Sequence, residues 1–136
     1  MYEVFEHTAD LGLRIRAKDL NTLFADAARA LFAVIVENLD DVRTTCEWAM
    51  TIGGSDPEYL LFDWLNELLF KFDKEHLLFS DFTVTVTSTG LSATARGEPL
   101  DTTRHHLDHE VKAITYHGLV VRQAAEGWLA EVIVDI

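Results

Sequence analysis

Cysteine is almost missing from this chain. Cys46 is the single one in 136 residues, which excludes an intrachain disulfide and points to a reducing compartment, by default the cytoplasm. Proline is scarce at 2 residues and glycine numbers 7, leaving little room for disordered linkers. Long apolar runs are lacking too. EYLLFDWLNELLFKFDKE is broken by Asp63, Asn66 and Glu67 and falls short of the roughly 18 apolar residues that span a bilayer, so no membrane association is expected. MYEVFEHTAD carries neither a basic nor an apolar leader region, and no secretory signal is expected. Basic side chains are outnumbered, 11 Lys and Arg against 23 Asp and Glu, for a net charge of -12. Such a surface repels phosphates at long range, so stable direct nucleic-acid binding is not expected, whereas basic proteins and divalent cations are favoured partners. GxSxG, Walker and GxGxxG signatures are absent, as are CxxC and HExxH spacings.

What is present is ordinary globular material, 49% hydrophobic and 25% charged. That length and composition predict one domain over 1–136, able to bury roughly two thirds of its unfolded surface. Residues 2–6 and 11–17 have the pattern of strands, the second alternating Leu11, Leu13, Ile15 and Ala17 against Gly12, Arg14, Arg16 and Lys18. DLNTLFADAARALFAVIVENL predicts a helix with Asp19 or Asn21 as N-cap, and RTTCEWAMTIGG a strand. SDPEYLL begins a second helix, with Pro57 suited to its first position. Its apolar set, Leu60, Leu61, Trp64, Leu65, Leu68, Leu69 and Phe72 with Phe62 and Phe70, predicts the central buried helix; Asp63, Glu67, Lys71 and Lys74 form its polar stripe. Phe82, Val84 and Val86 against Thr83, Thr85 and Thr87, then STG and LSATARG, predict a hairpin. EPLDTTRHHLDHE reads as an aperiodic surface loop, and VKAITYHGLVVRQ and GWLAEVIVDI as two further strands joined around Glu126 and Gly127. Segregated helices followed by runs of strands predict an α+β fold, two main helices packed on a largely antiparallel β-sheet.

Candidate chemistry is sparse. In EHTADLG, Thr8 and Asp10 can bond nearby amides in a turn, or Asp10 can be a metal ligand. Hard cations want several oxygens, and Asp135 with the chain end at Ile136 would supply more of them if the last strand ends near the first turn. His105, His106, Asp108 and His109 look like transition-metal ligands, but without helix or strand register they are taken as mobile surface histidines, and Arg104 as an anion contact. Lys112, Tyr116 and His117 either make a phosphate or carboxylate site or belong to an exposed strand face, with Lys112, Ile114 and Tyr116 sharing one side. Cys46 reads as a small buried hydrophobe. An enzyme reading would rest on His7, Asp10, Lys112 and His117.

EHTADLGLRI, LLFDWLNELLF, EVKAITYHGL and VIVDI, in that order across nearly the whole chain, resemble the archease family. The resemblance implies an archease-like α+β domain that is not itself an enzyme. It would be an accessory protein of the RtcB-type tRNA-splicing RNA ligase, promoting GTP-dependent guanylylation of the ligase's active-site histidine and multiple turnover. It also implies an acidic metal site on Asp10, Asp135 and the main-chain oxygen of Ile136, holding a divalent cation, Ca²⁺ foremost and otherwise Mg²⁺ or Mn²⁺. Lys112 is implied as a basic residue required for activation. His7, Glu67 and His117 match motif positions without an assigned role. A metal-dependent phosphoester hydrolase using His7, Asp10, Asp135 and His117 is the enzymatic alternative, and a general protein chaperone is a third class.

Overall fold

The computed structural model describes residues 1–7 and 10–136, with His7 described by its backbone alone. The turn role expected of Thr8, and any role of the His7 side chain, lie outside the described residues. In chain order the elements are β1 (Tyr2–His7), β2 (Asp10–Ala17), α1 (Leu20–Ile35), a short 3-10 turn at Leu39–Asp41, β3 (Cys46–Gly53), α2 (Pro57–Glu75), β4 (Leu77–Thr87), β5 (Gly90–Pro99), β6 (Ala113–Ala124) and β7 (Gly127–Asp135).

The antiparallel α+β architecture is found, with the strands divided between two sheets. One has the order β1-β2-β7-β6 and the other β3-β5-β4, every pairing antiparallel. The division follows from the helices, each of which packs on strands of both sheets: α1 on β2 and β4, α2 on β6 and, more lightly, on β3 and β4. Apolar faces of two sheets are thus buried against one helical layer.

Asp19 starts α1 by accepting the Thr22 N–H at 2.7 Å. Asn21, the other candidate cap, instead accepts the Val86 N–H of β4 at 2.8 Å and ties helix to strand. Leu23, Phe24, Ala27, Ala28, Ala30, Leu31, Phe32, Val34 and Ile35 are all buried, so apolar residues surround α1 almost completely. Here the structure corrects the sequence reading: α1, not α2, is the central helix. Its alanines let strands approach from both sides, whereas α2 leaves Tyr59 57% and Phe70 58% exposed. Burial of each large apolar side chain contributes about 1.5–3 kcal/mol.

Pro57 occupies the first turn of α2, and Asp56 accepts the Glu58 N–H at 2.9 Å. The helix stops at His76, left-handed at φ 55, whose N–H returns to the Phe72 carbonyl at 2.8 Å. Trp64, fully buried, donates its indole N–H to the Phe24 carbonyl at 3.0 Å and locks the two helices together. No helix among the described residues is long and apolar enough to cross a membrane. Cys46, the first residue of β3, is half-exposed rather than buried, because β3 begins at a sheet edge.

The sequence predicts EPLDTTRHHLDHE, residues 98–110, as a surface loop and VKAITYHGLVVRQ as a strand from Val111; instead β5 runs on to Pro99, β6 begins at Ala113, and residues 100–112 between them are a strap tied to α1. The Asp108 and His109 amides donate to the Ile35 and Val34 carbonyls at 2.9 and 3.0 Å, and the Glu37 amide donates to the His106 carbonyl at 2.7 Å. Val36 and Leu107 form an isolated antiparallel bridge. The last carbonyls of a helix need partners, and the strap supplies them.

Candidate functional site

Strand register brings the acidic candidates together. Asp10 in β2 is the direct cross-strand partner of Asp135 in β7, and Asp135 is in turn opposite Ala113 in β6. Directly opposed residues of an antiparallel pair share a face, with Cβ atoms about 4.5–5.5 Å apart. On β2 the buried Leu11, Leu13 and Ile15 point to the core, so Asp10 belongs to the outer face with Arg14. Further along that face Arg14 lies 3.4 Å from Glu131 and 3.6 Å from Glu3, and its guanidinium sits 4.6 Å from the Phe5 ring centre. Of the basic residues that alternate along this strand, Arg14 is thus paired with two glutamates.

Lys112 is anchored at the same end, its N–H donating to the Asp135 carbonyl at 2.8 Å. It precedes β6 instead of lying within it. Lys112 and Tyr116 are exposed while Ile114 is buried, so the shared face expected for these three residues is not formed. A groove of about 680 Å³ opens at this tip, lined by Glu6, Asp10, Leu11, Asp108, His109, Glu110, Lys112 and Ile136. Three predicted residues, Asp10, Lys112 and Ile136, thus line one groove, and Asp135 stands opposite Asp10. Glu6 and Glu110 were not singled out in the sequence. The position of Glu6 beside the HTAD segment is a local signal for it, whereas Glu110 arrives only because the strap is held against α1.

Among the described residues, no group of three or more His, Cys, Asp and Glu side chains is placed to hold a metal by itself. The donor chemistry nevertheless fits a hard cation, since two opposed carboxylates and the main-chain oxygen of Ile136 are all oxygen ligands of the kind Ca²⁺ and Mg²⁺ accept. His117 does not line the groove. It belongs to residues 116–119, which interrupt the β6–β7 pairing between Thr115 and Val120.

The histidine-rich segment has a structural task. His105 is 2% and Glu98 6% exposed. The Asp101 N–H donates to His105 Nδ1 at 2.9 Å, which places the proton on Nε2, and Nε2 donates to Glu98 Oε2 at 2.9 Å. Glu98 also accepts from the Arg43 amide at 2.7 Å and pairs with Arg104. Burial alone would raise the Glu98 carboxyl, but the hydrogen bonds from Arg43, His105 and Arg104 outweigh it and hold the carboxyl below its ordinary value. His105 is therefore neither a mobile surface histidine nor a groove residue, and Arg104 meets the carboxylate of Glu98. Both fasten the strap whose continuation carries Asp108, His109 and Glu110 to the groove.

Comparison with known proteins places this fold in a family. Residues 2–136 match the model of the Archease protein family. The chain belongs to the archease family. It is 40% identical over 139 residues to the protein archease of Methanopyrus kandleri, covering 99% of each chain. To that of Pyrococcus abyssi it is 41% identical over 140 residues, covering 99% of this chain and 98% of the relative. The solution structure of a Methanobacterium thermoautotrophicum protein superposes with a TM-score of 0.88 at 36% identity, covering 99% and 98% of the two chains. A Thermotoga maritima archease, described with its crystal structure as a possible chaperone, shares the fold at a TM-score of 0.71 and 21% identity, covering 100% and 98%.

Proposed function

We propose that this chain is an accessory protein of an RtcB-type tRNA-splicing RNA ligase, promoting GTP-dependent guanylylation of the ligase's active-site histidine and allowing multiple turnover. The observation that carries this reading is the cross-strand opposition of Asp10 and Asp135 at the tip that Lys112 and Ile136 share. Like charges placed directly opposite are destabilising, and a cation between them removes that repulsion. Asp10, Asp135 and the Ile136 main-chain oxygen would hold a divalent cation, Ca²⁺ foremost. Bound there, the cation would supply positive charge at an otherwise acidic tip.

Lys112 contributes a cation of its own, fixed to the strand row by its backbone bond to Asp135. An acidic surface with a net charge of -12 complements a basic, phosphate-binding cleft and speeds encounter with it. The chain itself transfers no nucleotide on this reading; it brings charge to the cleft in which the ligase does so.

The test is single-turnover guanylylation of the cognate ligase by GTP, with and without this protein and its Asp135→Asn variant. Acceleration by the wild type and not by the variant is expected. A competent ligase left unaccelerated by the wild type across Mg²⁺, Mn²⁺ and Ca²⁺ refutes the activator reading.

A further inference from the structure

Strand β6 ends its sheet, so among the described residues one of its edges has no strand partner. The first turn of α2 closes that edge at one point, where Glu58 Oε2 accepts the Val121 N–H at 3.2 Å. Toward the other end of the helix, Asn66, Glu67, Phe70 and Asp73 face Lys112 and Ala113 across an open groove of about 360 Å³. Lys112 lines both this groove and the one at the acidic tip, so the two adjoin at that residue.

Exposed aromatics concentrate on this side of the molecule. Among the described residues, the aromatic side chains left substantially exposed are Tyr59 at 57%, Phe70 at 58% and Tyr116 at 41%, on α2 and β6. Tyr116 reaches outward because residues 116–119 drop out of the β6–β7 pairing, with Gly118 turning the chain at φ 73. It stacks on Tyr59 with ring centres 5.1 Å apart and meets Phe62 edge-on at 5.5 Å. An aromatic platform built on a bulge and left facing water is the composition of a recognition surface, where tyrosine and phenylalanine are enriched.

Charge selects the occupant. Partial desolvation of this exposed residue and the negative charge of Glu110 push the Asp73 carboxyl above its ordinary value, against a weaker opposing effect of His76. Glu67 lines the same groove, so two carboxylates outnumber Lys112, the one cation among its lining residues. A phosphate backbone or a second copy of this acidic chain would be repelled there. A side chain that stacks on aromatics and pairs with carboxylates, as guanidinium does, suits both features. Lys74 already demonstrates the contact, its Nζ lying 5.8 Å from the Phe70 ring centre.

We propose that the groove between α2 and the free edge of β6 docks an extended, arginine- or lysine-bearing segment of the partner protein, and that this segment anchors the partner beside the acidic tip. The proposal rests on the activator reading for the partner's identity and adds the surface by which that partner is held.

The experiment is single-turnover guanylylation of the cognate ligase by GTP, measured against increasing concentrations of the wild type, Asp73→Lys, Phe70→Ser and Glu126→Lys. Asp73, Phe70 and Glu126 are all exposed, and circular dichroism verifies that each variant folds. Glu126→Lys makes the same charge change as Asp73→Lys in the β6–β7 turn at the opposite end of the sheet. The half-saturating concentration is expected to rise about tenfold for both groove variants, as for loss of an anchoring residue at an interface. The plateau rate should persist, and Glu126→Lys should stay within about twofold of the wild type. Unchanged half-saturation in the groove variants, with normal activation by the wild type, overturns the docking site and leaves the activator reading standing. An equal loss in Glu126→Lys also overturns it, because undirected charge steering would then account for the effect. Absence of activation by the wild type removes the activator reading and the docking site with it.

Discussion

His105 in the strap and Glu98 in β5 are joined at 2.9 Å inside the protein, with side chains 0% and 8% exposed. The pair is the inner fastening of residues 100–112. The outer fastening is the set of amide bonds from Asp108 and His109 to the end of α1. So fastened, the strap delivers two of the groove's acidic side chains, Asp108 and Glu110, and a buried histidine three residues before Asp108 helps shape the tip.

Glu98→Ala is expected to lower stability by about 3 kcal/mol, because it leaves the Arg43 amide, His105 and Arg104 without their shared acceptor. The folded-state carboxyl is depressed. Its stabilisation is therefore fully present above the unfolded-state value near pH ~4.3 and is lost as pH falls through the folded value. Urea midpoints from pH 7 to pH 3 check this: the wild type should lose stability on the acid side, and Glu98→Gln should show a shallower loss.

Cation binding at the tip should raise the thermal midpoint of the wild type with Ca²⁺ concentration, by the equivalent of about 2.7 kcal/mol at a hundredfold excess over Kd. In Asp135→Asn that rise should vanish, while stability in chelator changes by only a few tenths of a kcal/mol or increases slightly. A wild-type midpoint indifferent to Ca²⁺, Mg²⁺ and Mn²⁺ would remove the metal from the account.

Lys112→Ala separates the two parts of the tip. It should impair ligase activation by tenfold or more, a loss of about 1.4 kcal/mol in transition-state stabilisation, while leaving the cation-dependent rise in thermal midpoint intact. An activation rate equal to the wild type would reduce Lys112 to a solvated side chain.

Gly97 in β5 lies so close to β4 that an added Cβ would stand 1.7 Å from the Leu78 carbonyl oxygen. Gly97→Ala should destabilise by about 2 kcal/mol, through forced separation of the two strands. Gly53, where nothing lies within 4 Å, is the control, and Gly53→Ala should stay within about 0.5 kcal/mol. Thermal melts of the two variants make the comparison.

Strand and helix identities were legible because period-two and period-3.6 patterns act locally. Asp19 and Pro57 marked helix starts for the same reason, since a cap is chosen by the residues that follow it. The sequence points to α2 as the central helix because both helical segments are apolar enough to be central, and only packing against two sheets decides between them. The strap was read as a loop because its ordering comes from carbonyls of α1 and from Glu98, none of them adjacent in sequence. Periodicity likewise failed at Tyr116, where the unpaired segment 116–119 interrupts the alternation.

By itself the sequence determined the acidic charge, the elements, the antiparallel α+β class and, through four short motifs, the family. Tertiary structure alone decided that Asp10 and Asp135, 125 positions apart in the numbering, stand opposite each other, that His105 is buried and that Tyr116 is turned outward. Local preference fixes conformation residue by residue, but cross-strand register and burial depend on which distant segments share a sheet, and those contacts form only when the whole chain packs.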